Sequence, residues 1–152
     1  MAIGEICNRE VVFARQNESV RSAALLMREQ HVGSLVVVDE SGGKRIPAGI
    51  LTDRDIAVGV VALGLDPEAT PVGAVMSPEV VVEREDAGVA ETVALMRQKG
   101  LRRLPVVDRA GSLVGLVSAD DLLELLAEEL TALASMVARE QRRETEQRRA
   151  LP

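Results

Sequence analysis

Two short segments hold the side chains best suited to chemistry. They are Gly49-Ile50-Leu51-Thr52-Asp53-Arg54-Asp55 and Gly115-Leu116-Val117-Ser118-Ala119-Asp120-Asp121. Each reads glycine, two aliphatics, a hydroxyl residue, two variable residues and an aspartate. A hydroxyl three residues ahead of a carboxylate, where a strand turns into a helix, has two physical uses. As a capping box, the hydroxyl accepts from the backbone N–H three residues on, and the carboxylate accepts from the N–H of the hydroxyl residue. As a ligand site, the carboxylate accepts from both hydroxyls of a ribose. The hydroxyl then donates to a phosphate oxygen, and the free amides of the helix start favour an anion. In this second use Gly49 and Gly115 let the backbone approach the ligand closely. Either use explains why the pattern occurs twice.

Arg102-Arg103-Leu104-Pro105 is the next candidate. Two arginines at a strand start either stand in solvent or read phosphate with their planar fork. The matching stretch Gly33-Ser34-Leu35-Val36 has neither the arginines nor the proline, so two sites built on this plan are not equivalent. Arg54 pairs with Asp53 or Asp55, or reaches a phosphate; the pairing is favoured. His31 is the only histidine. At a helix end it is expected to complement the dipole, with a place at a pocket edge as the alternative. Cys7 reads as a small apolar filler.

The inventory of enzyme motifs is empty. There is no Gly-x-x-x-x-Gly-Lys-Ser/Thr, no Gly-x-Gly-x-x-Gly and no His-Glu-x-x-His. One histidine and one cysteine near different element ends do not make a nucleophile–base pair. No catalytic residue and no resident metal are expected. Asp53, Asp55, Asp120 and Asp121 are acids of the kind that helix starts favour anyway. Mg²⁺ is expected only through the phosphates of a bound nucleotide.

Composition narrows the partners. Among 152 residues, 47% are hydrophobic, yet Phe13 is the only aromatic. The core must be aliphatic, and any ligand base is held by Val, Leu, Ile or Met. Single-stranded nucleic-acid binding usually relies on aromatic platforms, and a net charge of −6 disfavours a phosphate backbone. A single cysteine excludes an intrachain disulfide. Met1 to Glu5 carry no basic–apolar leader, and no apolar run reaches membrane-spanning length. A cytoplasmic protein is the expectation.

The elements that must position these residues are written twice. An offset of 69 (Asp39 to Asp108) sets Glu10-Val11-Val12 on Glu79-Val80-Val81 and Leu26-Met27-Arg28 on Leu95-Met96-Arg97. It sets Cys7 on Met76. The offset falls to 66 (Gly49 to Gly115) because the first hairpin loop is three residues longer. Each copy predicts the same order. Val11-Val12-Phe13 and Val80-Val81-Val82 are short β-branched strands. Ser19 to Gln30, and its counterpart carrying Val89, Thr92, Val93 and Met96, have helical spacing. Gly100 caps the second of these helices, and His31 holds the same place in the first. Ser34–Asp39 with Ala48–Leu51, and Leu104–Asp108 with Leu113–Val117, form hairpins. Helices follow from Asp53 to about Leu63 and from Asp120 onward. Each copy is too small to be comfortably stable alone, so the two are expected to share a core and a pseudo-twofold cleft. Repeat 1 spans 3–65 and repeat 2 spans 72–130. A proline-bearing linker runs over 66–78, and 131–152 form an extension.

The repeat unit, its closing Gly-x-x-Thr/Ser-x-x-Asp and the Leu104-Pro105-Val106-Val107-Asp108 strand resemble a tandem pair of cystathionine-β-synthase (CBS) domains, a Bateman module, over residues 3 to 130. The resemblance implies an α+β fold of two βαββα repeats packed as one pseudo-twofold module. It implies a stand-alone regulator that binds an adenosine-containing ligand (AMP, ADP or ATP, in some relatives NAD or S-adenosylmethionine) between the repeats and modulates a partner protein. It also implies a homodimer. Carried over by position, Asp55 and Asp121 hold ribose, while Thr52 and Ser118 contact ribose or phosphate. Arg103 serves the Ser118/Asp121 site, with Val12, Val32 and Gly33 around the base; this is the site favoured by sequence. The Thr52/Asp55 site draws on Val81, Leu101 and Arg102, with Ser34 in place of an arginine. The alternative is an interaction or stress-associated protein of this fold whose clefts bind no nucleotide.

The last helix outruns the repeat. Leu123, Leu126, Leu130, Leu133 and Val137 follow spacings of three and four. From Arg139 to Arg149 the sequence is polar on every face, with five Arg against three Glu, weak support for nucleic acid. The stripe either packs on its own module or serves a dimer contact or a docking arm.

Overall fold

The computed structural model describes residues 1–149. Two three-stranded sheets carry the fold. The first half comprises α1 (Ile3–Ile6), β1 (Phe13–Arg15), α2 (Val20–Gln30), β2 (Ser34–Ser41), β3 (Lys44–Thr52) and α3 (Asp53–Ile56). A wider π turn, Ala57–Val61, continues α3. After a 3₁₀ turn at Val72–Ala74, the second half comprises β4 (Glu83–Arg84), α4 (Val89–Lys99), β5 (Arg103–Val107), β6 (Leu113–Ser118) and α5 (Ala119–Arg149). In each sheet the first strand runs parallel to the middle one and the third antiparallel to it. The mixed α+β architecture with a long last helix is as the sequence predicts.

Local chemistry sets the element ends. Ser19 Oγ accepts from the Ser22 N–H at 3.1 Å and opens α2. His31 and Gly100 close α2 and α4 in left-handed conformation, with φ of 54° and 66°. Their N–H groups donate to the carbonyls of Met27 and Met96. Glycine adopts this geometry freely, whereas a histidine there is uncommon.

The first strands lie later than the β-branched runs predict. β1 starts at Phe13, and β4 covers only Glu83–Arg84. Val12 and Val81 instead pack, half-buried, against the edges of the two cores. The helix expected from Asp53 to Leu63 is present but loosens into the π turn after Ile56.

The connecting segments are exchanged between the halves. Ile3 is fully buried among Met96, Leu104, Val106, Val117 and Leu122 of the second half. Val72 is fully buried among Ala14, Ala23, Met27, Leu35 and Leu51 of the first. Backbone bonds fix the exchange. Asn8 and Leu116 exchange N–H···O bonds of 2.9 Å, and Ile50 and Ser77 exchange bonds of 3.1 and 2.9 Å. Each core is therefore completed by residues from the other half.

Gly49 and Gly115 make this exchange fit. A Cβ on Gly49 would stand 2.5 Å from the Ser77 carbonyl oxygen, and one on Gly115 would collide with Cys7 Sγ. The expectation that these glycines make room for a ligand is corrected here: they make room for the exchanged chain.

Candidate functional site

Both hydroxyl–carboxylate pairs form the capping box. The Thr52 N–H donates to Asp55 Oδ2 at 2.8 Å, and the Asp55 N–H donates to Thr52 Oγ1 at 3.1 Å. The Ser118 N–H donates to Asp121 Oδ2 at 2.8 Å, and the Asp121 N–H to Ser118 Oγ at 3.2 Å. The Ser118 hydroxyl also donates to Asp121 Oδ2 at 2.6 Å. All four residues are half-buried. The chain before each box is tied to it: the Asp53 N–H donates to the Gly33 carbonyl at 3.0 Å, and the Ala119 N–H to the Arg102 carbonyl at 2.8 Å.

One cleft of about 330 Å³ runs between the two sheets. Thr52 and Asp55 line it from the end of β3 and the start of α3, and Ser34 and Val36 from β2. Leu101, Arg102 and Arg103 line it from the start of β5, and Leu116 from β6. The volume falls in the range of small-ligand pockets. Aliphatic walls come from Val36, Ile50, Leu101 and Leu116. Polar groups come from Ser34, Thr52, Asp55, Ser77 and Glu79, and both arginines are exposed. Phe13, the only aromatic, lies elsewhere, with the Arg45 guanidinium 4.4 Å from its ring centre.

Of the residues selected from sequence, this cleft gathers Thr52, Asp55, Leu101, Arg102 and Arg103. Arg103, which the resemblance pairs with Ser118 and Asp121, stands opposite Ser118 across β5 and β6. It lines the same cleft as Thr52 and Asp55. Ser118, Asp121, Val12, Val32, Gly33 and Val81 lie outside that lining. Val32 packs on the first core, and Gly33 lies against Asp53. Arg102 Nη2, beside the cleft that this arginine lines, stands 3.4 Å from Asp120 Oδ1 in an exposed pair.

Ser77 and Glu79 were missed by sequence reasoning, Ser77 inside a stretch read as a linker. The available signal was the alignment of Met76-Ser77 with Cys7-Asn8, which marks 76–77 as part of the repeat.

The remaining titratable candidates are structural. His31 is an exposed helix cap. Cys7 is buried in the second core, and burial pushes its thiol pKa up, partly offset by the positive charge of Arg9. Among the described residues, no three His, Cys, Asp or Glu side chains gather as a metal-ligand set.

Comparison with known proteins decides the family. The CBS domain model matches this chain twice, over residues 3–61 and 72–128. The chain belongs to the CBS domain family. It is 39% identical over 125 residues to the protein MK0525 of Methanopyrus kandleri, covering 82% of this chain and 62% of that protein, so it spans less than two thirds of that relative. A solved structure of a signal-transduction protein with CBS domains from Burkholderia ambifaria is 32% identical with a TM-score of 0.70. The match covers 83% of this chain and 93% of that one. The cytosolic domain of the Mg²⁺ channel MgtE, solved in complex with ATP, is 32% identical with a TM-score of 0.69, covering 82% of this chain and 48% of that one. The two CBS repeats of the present chain form the pair of sheets described above. No helix among the described residues is long and apolar enough to cross a membrane.

Proposed function

We propose that this CBS pair is a regulatory module that binds an adenine nucleotide (AMP, ADP or ATP) between its repeats and passes the bound state to a partner protein. The observation that carries the reading is the meeting, in one cleft, of Thr52 and Asp55 from the first repeat with Arg102 and Arg103 from the second. Asp55 Oδ2 is occupied by the cap, and its other oxygen is the acceptor offered to ribose hydroxyls. Arg102 and Arg103 supply the planar donors suited to phosphate. The base rests between Ile50, Leu101 and Leu116, without aromatic stacking. Mg²⁺ enters only on the phosphates of the nucleotide. Ser118 and Asp121, with Val12, Val32 and Gly33, form a second and weaker site; Val81 backs the wall of the first.

Because both repeats line the cleft, an occupied cleft binds them together. The signal is limited to the difference in ligand affinity between the open and closed arrangements. The module works as a homodimer, and binding rather than turnover is its activity. The ATP complex of the MgtE domain supports the ligand class.

The purified 152-residue chain tests this directly. It contains no Trp or Tyr, so a copurified adenine ligand dominates its absorbance near 260 nm. ATP, ADP or AMP at about 100 times Kd adds about 2.7 kcal/mol, which raises Tm by roughly 5–10 °C for a chain of this size. No band, and no rise with any of the three, overturns the reading in favour of a CBS-fold interaction protein with empty clefts.

A further inference from the structure

Helix α5 is 31 residues long, and only its first turns pack on the module. Leu122 is its only buried residue among those described. Leu123, Leu126, Leu130, Leu133 and Val137 form one stripe, and each is between 44% and 67% exposed. A row of this kind on a projecting helix is a seam without its partner. Ala127 and Ala134 flank the seam on one side, small enough to let another helix approach closely.

The charges along α5 are divided by position. From Asp120 to Glu129 there are five acids and no base; from Arg139 to Arg149 there are five arginines and three glutamates. A parallel pair would set acids beside acids. An antiparallel pair sets the acidic half of each helix beside the arginine-rich half of the other. Packed helix axes lie about 8–10 Å apart, close to the Debye length at physiological salt, so this arrangement is felt.

We propose that α5 docks antiparallel on α5 of a second copy of this chain, related by a twofold axis between Thr131 and Ala132. In that register Leu130 meets Leu133 of the partner subunit, and Leu126 meets Val137 of the partner subunit. Leu126, Leu130, Leu133 and Val137 are then consumed by one another, as a closed isologous contact requires, while Leu123 faces Glu140 of the partner subunit. The root of the helix carries a matching recess. A wholly apolar groove of about 230 Å³, lined by Val93, Met96, Leu122, Leu123 and Leu126, opens at its Leu126 end toward Val137 of the partner subunit. This inference rests on the homodimer reading above and assigns that dimer its surface.

Sedimentation equilibrium of the full chain is the test. The wild type is expected to be a dimer. Leu130→Asp with Leu133→Asp is expected to weaken association at least 100-fold while leaving the helical content seen by circular dichroism near wild type, because both side chains are exposed. A dimer that survives this double change overturns the α5 surface and leaves the homodimer reading standing. A wild-type chain that is monomeric throughout overturns both. Orientation is read separately. Spin labels at Gln147→Cys, in a Cys7→Ala background, are expected about 45 Å apart at 1.5 Å rise per residue; a separation below about 20 Å overturns the antiparallel register. Salt gives a readout on unmodified protein: added NaCl is expected to weaken the dimer, and strengthening overturns the charge argument.

Discussion

The Ile3 N–H donates to the Ala87 carbonyl at 2.8 Å, joining the first turn of the first repeat to the second repeat. Its side chain is fully buried in the second core. Ile3→Ala is therefore expected to cost about 2–5 kcal/mol, the usual loss for a buried isoleucine. Val72→Ala acts on the first core and costs less, in proportion to its smaller side chain. Because each core contains chain from the other half, urea unfolding followed by circular dichroism is expected to remain one transition in both variants. Two separated transitions would show that the exchange does not couple the halves.

Glycines at the exchange sites leave no space for a methyl group. Gly115→Ala drives a Cβ into Cys7 Sγ, and Gly49→Ala drives one against the Ser77 carbonyl and Met76 Sδ. Overpacking of this kind costs about 1–3 kcal/mol. Adding Cys7→Ala is expected to recover part of the Gly115→Ala loss, since the nearest clashing atom is the sulfur. Gly49→Ala has no such rescue by Met76→Ala, because backbone oxygen stands equally close. Melting temperatures of the four variants check both statements.

The repeat was legible because duplication leaves the same residue types at a fixed offset. Helix ends were legible at His31 and Gly100, where local backbone geometry decides. The exchange was not: Ile3 and Val72 match at offset 69, but nothing in a one-dimensional pattern says which core receives them. The β-branched run Val11-Val12-Phe13 misplaced a strand because β propensity reports a fit to half-buried surface as much as pairing. In the cleft, Thr52, Asp55 and Arg102 were visible as motif residues. Ser77 was hidden in a proline-bearing stretch, and Arg103 was assigned by analogy to the other pair, although it lies near both.

One buried polar pair in the second repeat replaces two alanines in the first. Thr92 is fully buried; its hydroxyl lies 3.0 Å from the Gly88 carbonyl and 3.4 Å from Glu83 Oε2. Ala14 and Ala23 hold the matching positions in the first core, both buried. Thr92→Ala alone strips Glu83 of a partner and is expected to cost about 1–3 kcal/mol. Glu83→Ala with Thr92→Ala rebuilds the alanine pair and is expected to lose less than the sum of the single changes. Strict additivity in denaturant melts would mean the two side chains do not interact.

Asp86 makes a small contribution to stability that acid removes. Paired hydrogen bonds of 2.8 Å from Arg84 pull its pKa down to about 2 from an ordinary value of 3.8. A depressed carboxylate contributes stability that is present above its unfolded pKa and is lost as pH falls through the folded one. The pair is exposed, so the contribution is small and screened by salt. Asp86→Asn is expected to lower Tm slightly at pH 6, and the gap from wild type is expected to close between pH 4 and pH 2. A gap that stays constant over that range would mean the pair does not titrate as described.

Asp55 and Asp121 cap their helices in the same way, yet they are not expected to serve a nucleotide equally. The cleft beside Asp55 has two arginines, Arg102 and Arg103, and the residue matching Arg103 in the first repeat is Ser34. On the function proposed above the Asp55 cleft ranks first, the opposite of the order favoured by motif alone. Asp55→Asn is expected to remove most of the ATP-induced rise in Tm, and Asp121→Asn little of it. Each shift is referred to the variant's own unliganded Tm, which absorbs the similar loss of a charged cap. Arg103→Ala should weaken ATP about 10- to 100-fold, as expected for losing charge-assisted bonds worth about 1.5–3 kcal/mol. Adenosine, with no phosphate, should be nearly unaffected. Equal weakening of ATP and adenosine would assign Arg103 to the fold, and a larger loss with Asp121→Asn would move the primary site to the other cleft.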